Sequence, residues 1–194
     1  EEDYGDRLDE TGRRYLATIR NSGRRMGQLI DDLLRYARVE RRAIECQPVP
    51  LKPMLDQLLQ DFVEEMETRG LTVTEDLAVG EVMAEREGLR EVLANLLSNA
   101  VKFSPARDGN ISLRSYRDGD RVVMAVADQG IGFDMKYHDR IFGIFERLHR
   151  QEEYPGTGVG LAIVRRVAER HGGRAWAESE VGRGSVFYFA VPSP

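Results

Sequence analysis

From Leu8 to about Glu40, apolar residues recur at three- and four-residue steps: Tyr15, Leu16, Ile19, Met26, Leu29, Ile30, Leu33, Leu34 and Ala37. That period is one face of an α-helix, interrupted at Ser22 and Gly23. A helix of about 30 residues extends roughly 45 Å, too far to lay one whole face against the compact domain the rest of the chain can form. The stripe therefore asks for a helical bundle with another chain. The alternative is a long surface helix lying on its own domain.

After Pro48 and Pro50 the pattern restarts. It predicts a helix over 52–68 stopping at Gly70, then alternating strands over 71–75 and 81–84. A second strong helix over 89–103 is apolar at Leu89, Val92, Leu93, Leu96, Leu97, Ala100 and Val101 and ends at Ser104-Pro105. Alternating runs over 110–116 and 121–127 meet through Asp118-Gly119, a hairpin signal. Residues 129–157 read as glycine-rich, polar and irregular, with a short helical piece around 139–147. A helix over 158–171 follows, then strands over 174–180 and 185–191 joined by Gly182-Arg183-Gly184. The fold class is α+β: a two-layer α/β sandwich with a largely antiparallel sheet, preceded by the long helix. The division expected is 1–45 for the helical segment and 46–194 for the sandwich.

The formal net charge of -5 argues against broad attraction to nucleic acid or an anionic membrane surface, so an anionic ligand must be held by local devices. No run approaches the ~20 apolar residues of a membrane span, and Glu1-Glu2-Asp3 is the opposite of a signal peptide. One cysteine, Cys46, excludes an internal disulfide and fits a reducing, cytoplasmic setting. The start without methionine reads as a fragment from which a membrane-bound or sensory part has been trimmed.

Three clusters carry chemistry. In the first, Asn95 and Asn99 share a helical face with Lys102 one turn on, opposite the leucines. Asparagine is a poor interior helix former, so two on one face call for a reason. Amide oxygens can complete the shell of a Mg²⁺ that keeps several waters and takes phosphate oxygens, with the lysine offsetting phosphate charge. A solvated polar face is the other reading. In the second, Asp128-Gln129-Gly130-Ile131-Gly132 follows a strand; a carboxylate there can accept a hydrogen bond from an exocyclic amine, and glycines let a flat ring approach. A tight turn explains the glycines equally well. In the third, Gly156-Thr157-Gly158-Val159-Gly160-Leu161 opens a helix whose backbone amides can bind phosphate. No apolar strand precedes it and no Gly-Lys-Ser/Thr is present, which excludes the dinucleotide-binding fingerprint and the P-loop.

In this order, and with Ile141-Phe142-Gly143-Ile144-Phe145-Glu146-Arg147 and Gly182-Arg183-Gly184-Ser185, these motifs resemble the ATP-binding domains of sensor histidine kinases. That family shares a Bergerat-type fold with gyrase, HSP90 and MutL ATPases. The resemblance covers roughly 50–192; the run 26–38 looks like the second helix of the dimerisation and phosphotransfer domain, and the details look most like phytochrome-type kinases. It implies ATP and Mg²⁺ as cofactors. It implies Asn99 as the Mg²⁺ ligand, with Asn95 beside it where gyrase-like ATPases place a general-base glutamate. Lys102 would meet the phosphates, Asp128 the adenine amine, Gly130 and Gly132 the ring. Gly156, Thr157, Gly158, Gly160 and Leu161 would line the nucleotide, under a mobile lid over 133–157 anchored by Phe142 and Phe145. The implied partners are a response-regulator receiver domain and a second copy through the N-terminal helix.

The family's phosphoacceptor box is missing. His138 and His149 flank the lid helix, and His171 ends a helix, where it reads as a C-terminal dipole partner. His149 could instead edge the nucleotide. The chain is therefore expected to bind nucleotide without labelling itself. Regulator phosphatase, gyrase- or HSP90-like switch and plain dimerisation module are the competing functions; Asn95 in place of the hydrolytic glutamate weighs against the switch, and intact motifs against the module.

Overall fold

In a computed structural model of the chain, residues 9–41, 43–105, 108–148 and 154–193 are described. Helix α1, Glu10–Arg41, runs 32 residues, and Ser22 and Gly23 do not break it. Its only buried residue is Val39, in the last turns, while Tyr15, Ile19, Met26, Ile30, Leu33 and Leu34 are exposed.

Strand β1, Gln47–Pro50, pairs antiparallel with β3, Glu81–Ala84. The prolines at 48 and 50 hid β1 from the sequence reading. In a two-stranded sheet each strand keeps an edge free, where a residue without an N–H is tolerated. The helix expected over 52–68 is two helices, α2 (Leu51–Gln60) and α3 (Val63–Arg69). Phe62, at φ -115° and ψ 0°, breaks the run between them. Gly70, at φ 62°, ends α3 in the left-handed conformation, with Leu71 N–H donating back to Met66 at 2.9 Å.

Five strands form the main sheet in the order β2-β4-β5-β7-β6: β2 Thr72–Leu77, β4 Asn110–Asp118, β5 Arg121–Asp128, β6 Arg174–Glu180, β7 Gly184–Pro192. All pairs are antiparallel except β2 with β4. Alternation puts Ile111 and Leu113, Val122, Met124 and Val126, and Phe187, Phe189 and Val191 on one face. Helices α4 (Arg86–Phe103) and α5 (Gly160–Arg170) cover that face with Leu89, Val92, Leu93, Leu96, Leu97, Ile163, Val164 and Val167. Asp128 continues the same inward face of β5, beyond Val126. Register fixes this: slipping β5 by one residue would turn the carboxylate to the opposite side of the sheet, with Ala125 and Ala127.

Two expectations about the loops change. In place of a helical piece over 139–147 there is one short 3-10 turn, Arg140–Phe142, and α5 begins at Gly160 rather than 158. Ile141 and Phe142 are buried without a helix to carry them. Part of the expected lid (149–153) and His149 lie outside the described residues.

Candidate functional site

Between α4, α5 and the end of β5 lies a cavity of about 310 Å³. Helix α4 sends its leucines into the core and Asn95, Ser98, Asn99 and Lys102 to the cavity wall. Arg69 holds the far end of α4, donating to the carbonyls of Val101 and Ser104, both at 2.6 Å. These are carbonyls that a helix end leaves without partners.

The Asn95 amide donates through Nδ2 to Glu91 O at 2.8 Å, so its oxygen faces α5. A Cβ on Gly160 would stand 2.7 Å from that oxygen, so the residue opening α5 must lack one. At Gly156 a Cβ would lie 3.4 Å from Lys102 Nζ, which places the ammonium against the glycine-rich turn. Burial, with Arg147 nearby as a second cation, pushes the Lys102 ammonium down to about 8. Arg147 donates to the carbonyls of Gly156 and, at 2.7 Å, Tyr154, pinning that segment.

Asp128 is 7% exposed. Burial pushes its carboxyl up to about 6, against the opposing effect of backbone hydrogen bonds from Gly130 and Ser185. Beside it the wall is apolar, with Ile131, Phe133 and Phe187. The loop after Asp128 is clamped on both sides: Ile131 N–H donates to Phe103 O at 3.3 Å, and Ile131 O accepts from Gly182 at 2.8 Å. Phe133 N–H donates to Ser179 Oγ at 2.8 Å. A Cβ on Gly130 would fall 2.0 Å from Phe103 O, and one on Gly132 2.1 Å from Glu180 O. These glycines are required by the passage of the loop between α4 and the β6–β7 turn.

Asn95, Asn99, Lys102, Asp128, Gly132, Gly156, Thr157, Gly158, Gly160 and Leu161 all line one cavity. Gly130 and Phe145 do not; Phe145 is 50% exposed at φ 65°, its N–H donating to Gly158 O at 3.0 Å. The sequence reading missed Asp32 and Arg35 of α1, which also line the cavity. Thr157 Oγ1 donates to the Asp32 carboxylate. It also gave no site role to Arg147, which it placed only at the end of the aromatic motif, or to Tyr154, which gives no signal in a polar loop. His171 sits at the C-terminal end of α5, as expected, and also reaches a second helix. Its Nδ1 donates to Val167 O at 2.8 Å and its Nε2 accepts from Glu85 N–H at 3.0 Å, so the ring ties α5 to the start of α4.

The site thus offers a buried carboxylate beside an apolar slot and a glycine-rich helix start facing amides and a lysine. A family model described as histidine kinase-, DNA gyrase B- and HSP90-like ATPase matches residues 84–194. The chain belongs to that family. A second model, the His Kinase A (phospho-acceptor) domain, matches residues 1–42. Cyanobacterial phytochrome A of Nostoc sp. is 38% identical over 189 residues, covering 97% of this chain and 25% of the phytochrome. Full-length ShkA, solved in complex with AMPPNP, superposes at a TM-score of 0.73 with 31% identity, over 96% of this chain and 40% of ShkA. The catalytic domain of histidine kinase ThkA gives 0.67 with 27% identity, over 77% of this chain and 96% of that domain. The chain spans about a quarter of the length of the phytochrome relatives it matches.

Proposed function

We propose that this chain is the ATP-binding catalytic part of a sensor histidine kinase, passing the γ-phosphoryl of ATP to a histidine and thence to a response-regulator aspartate. One observation carries the reading: a single cavity holds a buried carboxylate at an apolar slot together with a glycine-opened helix facing Asn95, Asn99 and Lys102. Asp128 would accept the adenine amine, and Ile131, Phe133 and Phe187 would sandwich the ring's edges. Helix α5 would meet the phosphates with its free N–H groups.

The residues present fit Mg²⁺. Asn95 turns its amide oxygen to the glycine cradle, and no cluster of acidic or histidine ligands stands among the described residues. Asn95 and Asn99 would hold a metal that keeps most of its waters and takes its remaining ligands from phosphate. When bound, Mg²⁺ would neutralise charge on the phosphates. An amide at position 95 cannot take a proton from water, so the site favours delivery of the phosphoryl group to an incoming imidazole. Lys102 lies where it can offset the charge that develops on the phosphates.

The match of residues 1–42 and the exposed stripe of α1 support a homodimer through α1. No described helix is long and apolar enough to cross a membrane. An exposed free cysteine, Cys46, agrees with a cytoplasmic setting.

Calorimetric titration tests the assignment. ATP should bind with an affinity that falls when EDTA removes Mg²⁺, and Asn99→Ala should lose that metal dependence. Equal affinity in all three conditions would reject it.

A further inference from the structure

The cavity wall is not closed by the sandwich alone. Asp32 and Arg35, three residues apart on one side of α1, complete it. Asp32 reaches the site through Thr157, whose hydroxyl donates to its carboxylate within the turn that opens α5. Arg35 Nη1 stands 3.5 Å from the other carboxylate oxygen. The last turns of α1 are fastened to α5: Arg166 grips the Glu40 carboxylate with two N–H groups, and Arg170 donates to Val39 O. The position of Arg35 at the cavity is therefore fixed by two independent attachments of its helix.

Resting on the nucleotide reading of this cavity, we propose that Arg35 is a ligand of the terminal phosphate of ATP, carried in by α1 and held ready by Asp32. Asp128 marks the base end of the cavity and the Gly156–Gly160 turn its phosphate end, and α1 touches the second of these. The cations already there are partly committed. Arg147 uses N–H groups on the carbonyls of Tyr154 and Gly156, which leaves Lys102. Even with a divalent cation and Lys102, a triphosphate keeps uncompensated charge. Arg35 offers a planar fork suited to phosphate oxygens. Its contact with Asp32 is long, and the two side chains are 43% and 25% exposed, so the pair contributes little and opens at little cost. Asp32 keeps the guanidinium turned to the cavity until phosphate takes it. The consequence is that the pocket discriminates triphosphate from diphosphate only while α1 is docked.

The test measures dissociation constants for ATP, ADP and AMP with Mg²⁺ on the whole 194-residue chain and on Arg35→Met, Arg35→Lys and Arg25→Met. Arg35→Met should weaken ATP about fivefold to tenfold, ADP by about twofold or less and AMP not at all. Arg35→Lys should recover part of the loss. Arg25→Met, roughly 15 Å back along the same helix, should change none of the three. Equal losses for ATP and ADP, or no loss for ATP, would overturn the role of Arg35 while leaving the nucleotide site standing. A wild-type chain that binds none of the three would instead remove the nucleotide reading itself.

Discussion

Asp128→Asn should stabilise the empty domain at neutral pH while weakening ATP. Burial raises the Asp128 carboxyl from an ordinary 3.8 to about 6. A group whose folded value is raised contributes stability that is complete below its unfolded value and is lost as pH climbs through the folded one. For Asp128 the loss falls between about pH 4 and pH 7 and amounts to about 3 kcal/mol. Asparagine does not titrate and keeps an oxygen for the Gly130 N–H, which now donates to Asp128 Oδ1 at 2.8 Å. The stability difference between variant and wild type should therefore open with rising pH, from near zero at pH 4 to about 3 kcal/mol in favour of asparagine at pH 7.

Urea unfolding followed by the fluorescence of Trp176, the single tryptophan, gives both curves. Subtracting one from the other removes every other carboxylate. Parallel curves from pH 4 to 7 would refute the desolvation argument. In the same variant ATP affinity should drop about tenfold or more, because a hydrogen bond to a charged acceptor contributes about 1.5–3 kcal/mol. GTP should be little affected. A stabilised variant that binds ATP as before would mean that the buried charge exists for some purpose other than the adenine amine.

Lys102, held down to about 8 by burial and Arg147, should regain its proton when phosphates arrive. At pH 8, ATP binding should take up about half a proton, read from binding enthalpies in buffers of different ionisation heat; Lys102→Arg should abolish the uptake, and uptake that persists would contradict it. Arg69→Met should cost about 1.5–3 kcal/mol in urea unfolding by stripping the charged donor from Val101 O and Ser104 O, and a loss below ~0.5 kcal/mol would show that water replaces it at no cost.

What the sequence disclosed was local. Helix α4 declared itself through a period of leucines with two asparagines set against it, and β4 and β5 through alternation around Gly119, which sits at φ 59°. The glycine-rich turn was visible because a helix that must start against the Asn95 oxygen can tolerate no Cβ. The rest depended on long-range packing. Strand β1 is four residues with two prolines, unreadable without β3 beside it. The need for glycine at 130 and 132 has a source no local pattern shows, since the atoms crowding them are the carbonyls of Phe103 and Glu180, supplied by distant elements. Asp32 and Arg35 flank Leu33 and Leu34 and read as an ordinary solvated helix face. Only a partner 125 residues away, Thr157, gives Asp32 another meaning.

Helix α1 shows why such residues matter beyond the pocket. It buries one residue, Val39, and its hydrogen bonds to the sandwich at Asp32, Val39 and Glu40 fall in its last third. The turns before that carry Tyr15, Ile19, Met26 and Ile30 into solvent. An isolated helix of about 20 residues is marginal in water, so the homodimer proposed through α1 would stabilise this part of the helix by packing on the stripe. On that proposal one helix has two obligations, a bundle along its first two thirds and the cavity along its last. A rotation of α1 that improved packing in the bundle would pull Asp32 from Thr157 and swing Arg35 off the phosphate end. The proposed bundle would thereby be coupled to the cavity through two side chains of one helix, Asp32 and Arg35.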